Sequence, residues 1–164
     1  MKTDSDWAGD RQSRKSTSGG VIKLGKHCIK TWGSTQGAVA LSSAEAEFYA
    51  MIEGVVKVKG MAAFALELGV EVEEQWVELG TDSSAAKSFV ARRGLGKMRH
   101  IELRDLWLQQ EVAEGKVKVV KVRGDLNAAD LTTKILNNAE IVFRLTLMGF
   151  RVEWQKEGAG KGQR

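Results

Sequence analysis

The chain has 164 residues, 43% of them hydrophobic, with 25 Lys and Arg against 21 Asp and Glu and a formal net charge of +4. That length suits one domain with a real core, and no apolar run approaches the roughly 18 to 20 residues of a membrane helix, so a helical membrane span is excluded. The mild basic excess permits a polyanionic partner without demanding one, while the single cysteine, Cys28, excludes an internal disulfide and leaves no Cys/His zinc cluster.

The chain opens abruptly. Met1, Lys2, Thr3 and Asp4 lead straight into Ser5, Asp6 and Trp7, so a first strand begins at the first residue and the chain is expected to be a piece of a longer polyprotein. Residues 1–6 carry no apolar signal-peptide core, and a soluble, cytoplasmic chain is the expectation. Residues 9–20 are polar and read as a loop. Residues 21–24 and 28–32 read as two strands joined by a tight turn, with Cys28 a buried, inert thiol in the second.

Ser42 or Ser43 then caps a long helix in which Phe48, Met51, Ile52 and Val55 repeat at helical spacing and Gly69 provides the stop. Gly54 and Gly60 weaken its middle by roughly 1 kcal/mol each relative to Ala, which predicts a bend or break. Residues 75–79 read as a strand, 83–90 as a short helix, 91–100 as a basic, glycine-containing loop and 101–113 as a helix. Residues 116–122 alternate Val and Lys as a strand does, and 127–136 and 139–150 read as two further helices. The Gly/Lys-rich tail, 158–164, reads as disordered. The order β-β-β-α-β-α-α-β-α-α predicts an α/β fold: a mixed five-stranded sheet with helices on both faces. Residues 1–136 read as the domain and 137–157 as a C-terminal helical extension.

Three acids fall where a strand ends or a helix begins: Asp4 in the first strand, Asp82 directly after the fourth, and Asp130 in the first turn of the helix after the last. Sites in open α/β sheets lie beyond strand ends. Carboxylates gathered there repel one another unless a cation neutralises them, and hard oxygen ligands favour Mg²⁺. Acids near strand ends are common in any α/β protein, so placement alone is weak evidence for a shared metal site and favours caps and solvated surface. Asp4 and Asp6 share one face of a strand and pattern does not separate them. Glu45 and Glu47 both sit at the edges of the apolar helix face, and periodicity does not choose between them.

Five ordered blocks add to this. Asp4-Ser5-Asp6-Trp7-Ala8-Gly9-Asp10 with Arg14-Lys15-Ser16-Thr17-Ser18-Gly19, Ala40 to Ala50, Thr81-Asp82-Ser83-Ser84-Ala85, Arg99-His100-Ile101-Glu102-Leu103-Arg104, and Ala129-Asp130-Leu131-Thr132-Thr133-Lys134 together resemble the ribonuclease H domain of copia-type LTR retrotransposon Pol polyproteins. The resemblance implies a ribonuclease H-like fold and a metal-dependent endonuclease that hydrolyses the RNA strand of RNA–DNA hybrids during reverse transcription. It implies Asp4, Glu47, Asp82 and Asp130 as catalytic ligands of two Mg²⁺ ions, with Mn²⁺ as a substitute. It implies the reverse transcriptase part of the same polyprotein as partner, and adds a virus-like particle or the nucleus as places of action. On this reading Glu45 is a solvated first-turn acid that favours the helix dipole.

The basic residues Arg14, Lys15, Arg92, Arg93, Lys97 and Arg99, with Ser16 and His100, are candidate nucleic-acid contacts. His100 is also a candidate acid–base group, against the plainer reading that it orders the loop before the next helix. The Trp residues read as core. Gly37 and Ile135 stand where copia-type sequences usually have Pro, and neither change removes a ligand. The alternative function is a ribonuclease H fold kept as a non-catalytic nucleic-acid-binding or structural module. A receiver-like phosphotransfer protein would need a Lys beside the acid pocket, which the sequence does not place.

Overall fold

The computed structural model describes residues 1–70, 76–96 and 98–153. Lys97, Trp154, the first residue of the predicted fourth strand (Gln75) and the tail 158–164 lie outside them. The strands are β1 (Lys2–Asp6), β2 (Thr17–Leu24), β3 (His27–Thr35), β4 (Val77–Thr81) and β5 (Val117–Lys121), and the helices α1 (Ser43–Glu67), α2 (Ser84–Val90), α3 (Trp107–Ala113) and α4 (Asn138–Met148). The sheet order is β3-β2-β1-β4-β5. β1, β2 and β3 form an antiparallel meander, and β1–β4 and β4–β5 are parallel. This is the expected α/β fold, a mixed five-stranded sheet consistent with the ribonuclease H-like class. Its antiparallel half excludes the mostly parallel sheet of receiver domains.

α1 is one unbroken helix of 25 residues, about 37 Å long at 1.5 Å per residue. The Ser42 hydroxyl accepts the Glu45 N–H at its start. At its end Gly69, at φ +74, donates to Leu66 O while Val70 donates to Ala65 O, the bond pair of a Schellman cap. The break expected at Gly54 is absent for a packing reason: a Cβ there would run into the Met1 methyl and Thr3 Cγ2. The missing side chain lets α1 lie close on β1, and that contact offsets the helix penalty. Gly60 has open space around its Cα and no such role.

Helices cover both faces of the sheet. On one, Phe48, Met51 and Val55 of α1 pack with Leu79, Ala86, Phe89, Val90, Ile101, Leu108 and Val117. The Phe48 and Phe89 rings meet edge to face at 4.8 Å, a favoured aromatic geometry. On the other, Val21, Ala128 and Met148 form a smaller cluster beneath α4. α4 starts with a reciprocal capping box between Asn137 and Glu140 and ends at Gly149, φ +96.

Further expectations need correction, among them the loop at 9–20, whose residues 17–20 belong to β2. Residues 101–113 are not one helix: Leu103–Leu106 is a 3₁₀ turn that runs into α3, because Ile101 is anchored in the core while Leu103 is exposed. Residues 127–136 contain only the 3₁₀ turn Ala128–Thr132. Cys28 is half-buried, since it sits on the edge strand β3. Trp7 is 54% exposed, lying on the surface with its indole N–H donated to Ala40 O.

Candidate metal centre

Two adjacent parallel strands begin the site. Lys2 of β1 pairs with Gly80 of β4, so two residues further along both strands Asp4 comes level with Asp82. Glu47 reaches in from the second turn of α1. Its Oε1 accepts the Ser5 backbone N–H at 3.1 Å, and its Oε2 lies 3.5 Å from the Thr81 hydroxyl. One carboxylate oxygen each from Asp4, Glu47 and Asp82 fall within 4.8 Å of one another. Asp4 and Glu47 are buried and Asp82 is half-buried.

Asp130 arrives by a different route. Asn127 is fully buried; its amide donates to Thr3 O at 2.9 Å, and its oxygen caps Ala129 N–H, pinning the Ala128–Thr132 turn to β1. The turn can lie on the sheet because Gly19 and Gly33, paired across β2 and β3, leave room for Thr132 and Thr133. Asp4 pairs with Gly19 in the next strand, so this smooth patch sets Asp130 beside Asp4. Asp130 is not one of the three converging acids, however. Its Oδ1 is held by the Lys134 ammonium at 2.7 Å and its Oδ2 by the Arg144 guanidinium of α4 at 2.8 Å. Lys134 also reaches Asp4 Oδ1 at 3.3 Å, and the Thr133 hydroxyl donates to Asp4 Oδ2.

Burial pushes the Asp4 carboxyl up to about 6; the Thr133 and Lys134 contacts pull against this, and the charges of Asp130 and Asp82 add to it. Burial, then the charges of Asp4 and Asp82, push Glu47 up to about 8 against the Ser5 hydrogen bond. Burial pulls Lys134 down, but its bonds to Asp130 and Asp4 outweigh that and hold it above the usual lysine value. Three carboxylates held close at such a cost are a donor set that suits a hard divalent cation, which would relieve both burial and repulsion.

The neighbouring acids go elsewhere. Asp6 is half-buried and takes the Thr17 N–H. Glu45 is not solvated, as the sequence reading had it, but 2% exposed. Its Oε2 accepts Leu41 N–H at 2.9 Å and meets His100 Nε2 at 2.7 Å. The pair ties the loop before residue 101 to the start of α1, which is the ordering role for His100. Ser16 is fully buried and its hydroxyl accepts Ala8 N–H, so it holds its loop and presents nothing at the surface. Arg14, Arg93 and Arg99 are exposed and Lys15 is half-exposed. Arg92 lies over the Phe89 ring at 4.7 Å. Sequence reading gave no role to Lys134 or Arg144. Lys134 is four residues after Asp130, a spacing at which side chains meet; Arg144 lies too far along the chain for any local signal.

This α/β fold with a three-carboxylate centre at the ends of its parallel strands defines a class of candidate metal-dependent proteins. No protein-family model matches the chain. Over 138 residues, 82% of its length, it is 32% identical to "Retrovirus-related Pol polyprotein from transposon TNT 1-94" of Nicotiana tabacum, covering 10% of that protein. Over 136 residues, again 82% of this chain, it is 30% identical to "Retrovirus-related Pol polyprotein from transposon RE2" of Arabidopsis thaliana, covering 9%. A 51-residue stretch, 31% of the chain, is 49% identical to 36% of "Secreted RxLR effector protein 161" of Plasmopara viticola. The chain is therefore similar to a segment of retrotransposon Pol polyproteins, and spans about a tenth of the length of those relatives.

Proposed function

We propose that this chain is the ribonuclease H domain of a copia-type Pol polyprotein, a divalent-metal-dependent endonuclease that hydrolyses the RNA strand of RNA–DNA hybrids. The observation that carries this reading is the convergence of Asp4, Glu47 and Asp82 within 4.8 Å. Carboxylates gathered so repel one another unless protons or a cation balance them, and a divalent cation does so at neutral pH. These three, with Asp130 beside them, are the residues that would hold Mg²⁺ or Mn²⁺. Such ions, when bound, supply Lewis-acid stabilisation to the attacking and leaving oxygens of a phosphodiester. The Ser5 N–H and the Thr81 hydroxyl orient Glu47, and the Thr133 hydroxyl orients Asp4. Arg14, Lys15, Arg92, Arg93 and Arg99 are the candidates for phosphate contact. The reverse transcriptase part of the polyprotein is the partner, and the cytoplasm, a virus-like particle or the nucleus the place of action.

One observation favours a second reading, a non-catalytic module of the same fold: both oxygens of Asp130 are already held by cations. The two readings separate in one assay. The domain is incubated with a labelled RNA–DNA hybrid and Mg²⁺ or Mn²⁺ beside Asp82→Asn. Cutting by the wild type alone supports the enzyme, binding without cutting by both supports the module, and equal cutting by both removes Asp82 from the site.

A further inference from the structure

We propose that Lys134 is a resident cation of this centre. Its ammonium stands between Asp4 and Asp130, so the free protein takes one divalent ion, at Asp4, Glu47 and Asp82, and a second enters only by displacing Lys134. The inference rests on the metal-site reading above and concerns how many ions that site admits.

Four carboxylates surround the centre, and among the described residues Lys134 and Arg144 pair with them. Lys134 Nζ is 2.7 Å from Asp130 Oδ1 and 3.3 Å from Asp4 Oδ1, a bridge between the acid that belongs to the three-carboxylate group and the acid that does not. An ammonium is a compact point charge with three donors, which suits bridging two carboxylates. The backbone fixes where it starts, since Lys134 N–H donates to Asp130 O at 3.0 Å. The two cations differ in freedom. The Arg144 side chain, on the buried side of α4, is 10% exposed, whereas that of Lys134 is 41% exposed. Lys134 has open solvent to swing into; Arg144 does not. Arg144 therefore serves as the fixed counter-charge of Asp130, and Lys134 as the exchangeable one.

Mn²⁺ binding to the whole chain at low salt, counted by calorimetry and by the paramagnetic resonance signal of free Mn²⁺, tests this without any turnover. The wild type is expected to bind one ion and Lys134→Met two, with the second site gaining more than about tenfold in affinity from loss of the nearby charge. Lys134→Arg, which keeps the charge, is expected to stay at one. Lys134→Gln provides a polar, uncharged second variant should the Met form not fold. Two ions bound by the wild type, or the same count and affinity in wild type, Met and Gln forms, would overturn the inference while leaving the metal site standing. No ion bound by any of them would overturn both.

Discussion

Asp4 and Glu47 carry the clearest residue-scale consequence. Their carboxyls stand at about 6 and about 8, against ordinary values of 3.8 and 4.5. Both are raised, so the folded chain holds protons that the unfolded chain releases. The stability they contribute is fully present below about pH 4 and is lost as pH rises through 6 and then 8. Without metal, the melting temperature is expected to fall between about pH 5 and pH 8.5. Mg²⁺ competes with those protons, so its stabilising shift should be larger at the higher pH; an equal shift at both would contradict the geometry. Glu45 makes a second prediction. It is buried and accepts from Leu41 while meeting His100, so Glu45→Ala removes both contacts, whose exposed partners rehydrate, and should cost about 0.5–1.5 kcal/mol in denaturant unfolding. A cost near zero would return Glu45 to the solvated role its sequence position suggested. That role failed because helix periodicity places a side chain on a face but does not say which loop will fold over it.

The two glycines of α1 separate local from tertiary effects at the scale of an element. Gly60→Ala fills open space on an exposed turn and should stabilise by about 0.5–1 kcal/mol. Gly54→Ala should destabilise by about 1–3 kcal/mol, because its Cβ meets Met1 and Thr3. Urea unfolding of the two variants with opposite signs is the expected outcome; two stabilising changes would mean that α1 does not rest on β1 as described. The start and stop of α1, the meander and the alternating β5 were legible because each is written in local pattern: a cap, a glycine at positive φ, a two-residue period. The 127–136 segment was not. Its turn is held by Asn127 reaching Thr3 across 124 residues and by glycines on two other strands, and the local sequence shows neither contact. The split of 101–113 escaped for the same reason, since Ile101 is anchored in a cluster with residues of α1, β4, α2 and β5.

For the whole molecule, the site is assembled from β1, α1, the end of β4 and the turn after β5, and α4 closes it through Arg144. A chain ending at residue 136 would lose that counter-charge and uncover Val21 and Ala128. It is expected to unfold at lower denaturant than the full chain and to bind Mn²⁺ with altered stoichiometry; unchanged unfolding and binding would make α4 a mere appendage. Of the candidate site, Asp82 and Asp130 stood out in sequence by position, and the choices of Asp4 over Asp6 and Glu47 over Glu45 came from resemblance alone. The structure brings Asp4, Glu47 and Asp82 together, for reasons of register and helix docking that no window of sequence contains. Of the cations that answer them, Lys134 had only its spacing of four from Asp130, and Arg144 was invisible, because charge pairing across the fold leaves no periodic trace. Glu47→Gln tests the central claim most directly, since the amide keeps the shape of the side chain and removes only the charge that a metal would need. With a hybrid labelled on its RNA strand and Mg²⁺ present, the wild type should cut the RNA strand. Glu47→Gln should be slower by more than the roughly 10- to 100-fold that loss of a ligand-orienting partner costs, while being at least as stable without metal. Cutting by Glu47→Gln at the wild-type rate would contradict the account.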